Sequence, residues 1–167
     1  MTVSTFISRL AIRREADPRE DAIRVFQRYR KHIESDRNNL VECVSCGRII
    51  HERNAEAGYY ISPEESRSVE FENDNMWPQC PYCVSTLSGN RHEFRKRLIS
   101  KLGIDRVLRL ERMRDAEKGN KAAFMTLSKE DRLKALSTHN ASYYEYKRRE
   151  YDAMLRLSSK VDRASSI

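Results

Sequence analysis

The sequence predicts an α+β fold: a small core of short strands, stapled through four cysteines, within a mostly helical chain. Three observations predict it. The only cysteines form two pairs, Cys43-Val-Ser-Cys46 and Cys80-Pro-Tyr-Cys83. Between the pairs lie short stretches of alternating residues separated by turn chemistry. Outside them, apolar residues recur at three and four, the period of amphipathic helices.

The cysteine spacing carries the strongest signal. A two-residue gap lets both thiolates of one turn face a single ion, and two such turns complete a tetrahedral site. Structural Zn²⁺ on Cys43, Cys46, Cys80 and Cys83 is expected. A thioredoxin-like redox motif needs only one pair. A disulfide framework does not suit a chain of 167 residues without a secretory leader. Arg9, Arg13 and Arg14 interrupt the apolar N-terminus, which disfavours a signal segment and points to the cytoplasm.

Charge is unevenly placed. Residues 38–90 hold three arginines against eight carboxylates, a net of −5, whereas the whole chain carries +7. The module between and around the cysteine pairs is acidic, and its flanks are strongly basic. With 39% hydrophobic and 34% charged residues, a modest core with exposed helices is expected. No apolar run approaches a membrane span. A pI near 9.4 points to nucleic acid.

In chain order, residues 1–16 read as an arm. Asp17-Pro18 starts a helix, with Asp as N-cap, Pro at N1 and Glu20 at N3. Ala22, Ile23, Phe26, Tyr29 and Ile33 form its apolar stripe, and it is expected to run to about Arg37. Residues 48–52, 57–62 and 68–72 are expected strands, with 63–67 linking the last two and Asn73-Asp74-Asn75 as a turn. Phe94, Leu98, Ile99 and Leu102 mark a helix from Arg91, closed by Gly103. A second helix covers about 105–118. Residues 91–114 hold nine Lys or Arg against three acids, so Arg91, Arg95, Lys96, Arg97, Lys101, Arg106 and Arg109 are the expected phosphate-contacting residues. Ser128 opens a further helix. Tyr143, Tyr144, Tyr146 and Tyr151 crowd the last, expected to end near Leu157 with a frayed tail to Ile167, and these tyrosines read as half-buried packing rather than as base-stacking platforms. Three parts result: 1–16, an arm; 17–119, a helix, the cysteine module and the basic helices; and 120–167, a helical extension.

Hairpin, polar loop and CxxC leading into a helix is the layout of an HNH, or ββα-metal, nuclease held by zinc. More specifically, the chain resembles the NinG (Rap) recombination family of phages. Cys43-Val-Ser-Cys46-Gly47, Ala57-Gly58-Tyr59-Tyr60, the stretch 69–75, Gln79-Cys80-Pro-Tyr-Cys83 and Leu87-Ser88-Gly89-Asn90 carry the resemblance. It extends over about residues 20–115. It implies an HNH-like core and binding or cleavage of branched DNA, Holliday junctions and D-loops, with Mg²⁺ or Mn²⁺ if catalytic.

Two departures bear on the chemistry. The family reads Gly-His-Tyr where this chain has Gly58-Tyr59-Tyr60, and that histidine is the general base. It has Asn after the last cysteine, where this chain has Val84. Catalytic candidates are therefore Tyr59, His51, Asn75, Asn90 and His92, with Glu70, Glu72 and Asp74 as carboxylates able to hold Mg²⁺. Two functions follow from the sequence: an active endonuclease with rearranged ligands, or a DNA-binding protein that has lost the chemistry. A third is a phage-encoded regulator that binds a host protein rather than DNA, with the acidic module as its contact face and an exposed apolar patch around Trp77 as its signature; a host or phage recombination protein is a further expected partner. A homodimer is a further expectation.

Overall fold

The computed structural model describes residues 17–164, with side chains through 159; the expected arm, residues 1–16, lies outside the described residues. Helix α1 (Pro18–Ile33) starts as the sequence requires. The Asp17 carboxylate accepts the Arg19 N–H at 2.9 Å, and Pro18 occupies the first turn. The helix ends four residues before the expected Arg37. Ser35 Oγ donates to the His32 carbonyl, and the Asp36 carboxylate accepts the N–H groups of Asn38 and Leu40. These local bonds compete with helix and turn the chain.

Two antiparallel hairpins follow. The first pairs β1 (Leu40–Glu42) with β2 (Ile49–His51), Val41 opposite Ile50. The first cysteine pair lies in the turn between them, where Gly47 adopts φ 75°. Strand β1 is three residues long, too short to show alternation in the sequence. The second hairpin pairs β3 (Glu56–Tyr59) with β4 (Met76–Gln79), Gly58 opposite Trp77.

This pairing corrects the expected strand at 68–72, which is instead a run of turns. Glu70 N–H donates to Arg67 C=O, and Glu72 N–H to Val69 C=O. Val69, Glu70 and Phe71 are all buried in succession, a pattern that period-two alternation does not allow. The buried Asn75 amide locks the fold-back by bonding both the N–H and the C=O of Ile61 and the C=O of Val69. Pro78 obscured β4 in the sequence, since proline donates no ladder bond. Its carbonyl instead accepts the Val44 N–H at 3.0 Å, joining the two hairpins.

The rest is helical: α2 (Arg91–Leu102), α3 (Ile104–Glu117), α4 (Lys121–Thr126), α5 (Lys129–Leu136) and α6 (Ala141–Ala164). Gly103, at φ 86°, makes the break between α2 and α3. Ser128 caps α5 by accepting the Asp131 N–H. Helix α6 does not stop near Leu157. Ser158 and Ser159 donate their hydroxyls to the Leu155 carbonyl, so these polar residues sit inside the helix instead of fraying it.

Two apolar clusters hold the elements together. One gathers Val44, Ile61, Val69, Phe94, Leu98, Leu110 and Met113, with Leu127 and Ala135 from α4–α5. The other packs α1 against α6 through Ala22, Phe26, Phe71, Met76, Tyr144 and Tyr151. Phe26 and Tyr151 rings lie 4.7 Å apart, and Tyr151 donates to the Phe71 carbonyl at 3.1 Å. Buried Arg30 donates to the Met76 carbonyl and lies over the Trp77 ring. Trp77 is not an exposed apolar patch: it is half-buried between Arg30 and Lys101, and its Nε1 donates to Asp74 C=O. No helix among the described residues is long and apolar enough to cross a membrane.

Phe26 is fully buried where α1, residue 71 and α6 meet. Phe26→Ala is expected to cost about 3–5 kcal/mol of unfolding free energy in urea titration. Leu157→Ala, at a residue 63% exposed, is expected to stay within about 0.5 kcal/mol.

Candidate functional site

The two hairpins bring the four cysteines to one point. Their Sγ atoms all lie within 4.8 Å of one another, and Cys46 Sγ is 3.8 Å from Cys80 Sγ. Cys43, Cys80 and Cys83 are buried, and Cys46 is exposed. The donor set suits one soft or borderline metal ion. Burial opposes ionisation of Cys43, but the N–H groups of Cys80, Cys46 and Ser45 point at its sulfur and bring the thiol down to about 7. Burial raises Cys46 and pushes Cys83 up to about 12, with the neighbouring sulfurs adding to both. Cys43 is thus inclined towards the thiolate, while Cys46 and Cys83 need a cation nearby to ionise.

Gln79, which the sequence reading assigned no role, ties this centre to its surroundings. It is 1% exposed. Its Nε2 donates to Ser45 Oγ at 2.6 Å and to the Gly89 carbonyl at 2.7 Å. One amide therefore links the first cysteine turn, β4 and the loop before α2. A Cβ on Gly58 would overlap the Gln79 side chain, so glycine is required there by close approach.

Beside this tie lies a cleft of about 380 Å³ lined by Gly58, Tyr59, Gln79, Val84, Ser88 and Gly89, together with Gln27 and Glu64. Tyr59 and Val84, 25 positions apart in the sequence, meet here. Burial pushes the Tyr59 phenol well above its ordinary range, offset only in part by Gln27. It therefore stays protonated at neutral pH and cannot accept a proton from water. Val84 offers no donor atom, and Glu64 is the one carboxylate lining the cleft among the described residues.

The other catalytic candidates are dispersed. His51 caps the short turn at Glu52–Asn54 by accepting the Arg53 N–H. His92 is exposed on the first turn of α2, 4.0 Å from Glu93. Asn75 is bound up in the backbone clamp described above. Asn90, at φ 45°, directs Nδ2 to Cys83 Sγ at 3.8 Å, supporting the cysteine centre. None of these four lines the Tyr59–Val84 cleft. Glu70, Glu72 and Asp74 do not line it either. Glu70, fully buried, bonds Arg19 and His139; Glu72 bonds Arg109 and Lys134; Asp74 bonds Arg106 through a two-point fork.

The opposed charges of module and flanks meet in ion pairs. Arg91 reaches Glu65, Arg95 reaches Glu111, Lys96 reaches Glu93, and both Arg97 and Lys101 reach Glu42. Arg109 is held by Asp131 and Glu72 together. Arg91, Lys96 and Arg106 nonetheless keep 50%, 60% and 56% of their side-chain surface exposed.

The fold and site define a protein whose cysteine pairs close a four-thiol cluster that could hold a metal ion, between two hairpins and beside a small cleft. The family described as Bacteriophage Lambda NinG protein matches residues 5–141. The chain belongs to the NinG family. Protein ninG of Salmonella phage P22 and protein ninG of Escherichia phage lambda are each 30% identical over 76 residues, 46% of this chain and 37% of theirs. Protein ninG of Escherichia phage 933W is 29% identical over the same length. The chain thus spans little more than a third of these curated relatives. No solved structure matches.

Three outcomes are expected at this site. Cys80→Ser should abolish stoichiometric metal binding, read by elemental analysis, and unfold the region between the cysteine pairs. In the wild type, metal affinity should fall as pH falls, since uptake must expel thiol protons. Gly58→Ala should cost about 1–3 kcal/mol by forcing Gln79 from its bonds, measured by chemical denaturation of the metal-loaded protein.

Proposed function

We propose that this NinG-family chain is a zinc-stabilised DNA-binding protein of phage recombination, acting on branched or duplex DNA, whose nuclease-like cleft has lost its chemistry. The carrying observation is the cleft itself: a protonated phenol and a valine take the two positions where hydrolysis needs a base and a metal ligand. The resemblance to HNH enzymes assigns those positions. The second hairpin, the second cysteine pair and α2 follow one another in the order that resemblance implies.

Zinc is the metal that fits the donor set. A tetrahedral ion about 2.3 Å from each sulfur sets the sulfurs about 3.8 Å apart, the separation of Cys46 and Cys80. DNA contact falls first to Arg91, Lys96 and Arg106. Their ion pairs are largely exposed, and such pairs contribute only about 0–1 kcal/mol, so a phosphate can take the carboxylate's place. Arg109, fastened to two acids, serves the fold first.

Wild-type protein is expected to shift junction and duplex DNA in a gel, with affinity falling steeply as salt rises, and to cut neither with Mg²⁺ or Mn²⁺. Arg91→Glu with Lys96→Glu should weaken binding and flatten its salt dependence. Tyr59→His with Val84→Asn, made together, should create metal-dependent nicking, and either alone should do far less, because base and metal act as a unit. Efficient junction cleavage by the wild type would sink the lost-chemistry reading and return the missing roles to His51, His92 or the carboxylates.

A further inference from the structure

A second cleft is lined by residues of the 68–74 turns and by no cysteine. Its volume is about 720 Å³, and α3, the 137–139 linker and the start of α6 complete its walls. Its chemistry is unlike that of the Tyr59–Val84 cleft. Four cations line it, Arg106, Arg109, Lys134 and Lys147, against two carboxylates, Glu72 and Asp74. Both carboxylates are already engaged, Asp74 by the Arg106 fork and Glu72 by Arg109 and Lys134, each at 2.8 Å. Arg106 uses two of its five N–H donors on Asp74, leaving the rest available at the rim.

Aromatic rings supply the remaining surface. Most tyrosines of α6 that line or adjoin the cleft are committed to packing: Tyr144 and Tyr151 are 5% exposed, and Tyr143 stacks on His139 at 4.1 Å. His139 is itself fixed through Nδ1 by the buried Glu70. Tyr146 differs. It is 59% exposed at the mouth of the cleft, although it shares a helix with those buried rings. The Lys147 ammonium lies 5.8 Å from the Tyr146 ring and 5.6 Å from the Tyr151 ring.

A site for a bare anion needs cations but no rings, and a site for an apolar ligand needs rings but no cations. A rigid aromatic floor, an exposed ring at the mouth and a slight surplus of donors fit a planar, hydrogen-bonding ligand with one negative charge. We propose that this cleft takes an unpaired nucleotide of a DNA strand, its base stacked on Tyr146 and its phosphate at Arg106, which is 56% exposed, while Lys147 is engaged by Glu150 at 2.8 Å. In a duplex the base faces are covered by their neighbours, so only a single-stranded or extrahelical nucleotide can offer a face to Tyr146. The inference rests on the DNA-binding reading above and adds to it the strand state that the protein prefers.

The test compares binding of a fluorescein-labelled oligothymidylate with that of a duplex of the same length. Tyr146→Ala is expected to weaken oligothymidylate binding roughly tenfold, the loss of one stacked base, with duplex binding unchanged. Tyr146→Phe should keep both, since the ring and not the hydroxyl does the stacking. Ultraviolet crosslinking of an oligonucleotide containing 5-iododeoxyuridine should map to the peptide that holds Tyr146. If Tyr146→Ala binds both DNAs as the wild type does and the crosslink maps elsewhere, the nucleotide cleft is overturned and the DNA-binding reading stands. Equal loss on both DNAs also overturns it, because that marks a general phosphate contact. Wild-type protein that binds neither DNA overturns both readings.

Discussion

The structure depends on the convergence of four sulfurs. Thirty-three residues separate the two cysteine pairs, and this excursion contains three short strands and a run of turns. Neither two-stranded hairpin is large enough to be stable alone. An ion shared by Cys43, Cys46, Cys80 and Cys83, which lie close enough to hold one, would close the excursion at its base, and its binding energy would become folding energy. Gln79 and the Val44–Pro78 backbone bond complete the closure with ordinary hydrogen bonds. The remainder of the chain is arranged on this platform: α2 follows the second cysteine pair, and α1 lies against β4 through Arg30.

Electrostatics provides a second level of organisation. An acidic module inside a basic chain could have served as a separate contact face. Instead its carboxylates reach the cations of α2 and α3, and Glu65 alone meets Arg91, Arg114 and Lys118. The pairs at the surface contribute little stability individually. Their effect is to fix which cations remain free to exchange partners. Buried Glu70 is the exception. With 0% exposure it requires both Arg19 and His139, since a buried carboxylate without partners is strongly destabilising. That requirement ties the start of α1 and the linker before α6 to the centre of the module.

The two clefts share little chemistry. The smaller, at Tyr59 and Val84, is nearly uncharged and is floored by an amide that is fully engaged elsewhere. The larger, at Tyr146, is rich in donors and rings. The small cleft sets a buried phenol beside a valine, with Glu64 as its one carboxylate among the described residues. The large one has binding groups contributed by the C-terminal helices.

The local signals in the sequence translated directly into structure. The two CxxC pairs, the Asp17-Pro18 start, the helix from Arg91 to Gly103 and the Ser128 cap each depend on residues within one or two turns, so spacing suffices to read them. Tyr59 and Val84 stood out as substitutions, but their meeting in one cleft is a tertiary fact. The turns at 68–72 were hidden because Val-Glu-Phe-Glu alternates like a strand, while the fold buries Glu70 as deeply as Val69 by pairing it with Arg19 and His139. Strand β4 was hidden by Pro78, whose missing N–H matters less than the carbonyl it offers to Val44. The pairing of the basic helices with the acidic module, and the exposure of Tyr146 among buried tyrosines, also came only from tertiary structure. The sequence by itself determined which residues could bind a metal and where most helices begin. Long-range packing decided which charges are neutralised, which rings are free and which side chains share a cleft, because those depend on contacts between residues up to 80 positions apart, as between Phe71 and Tyr151.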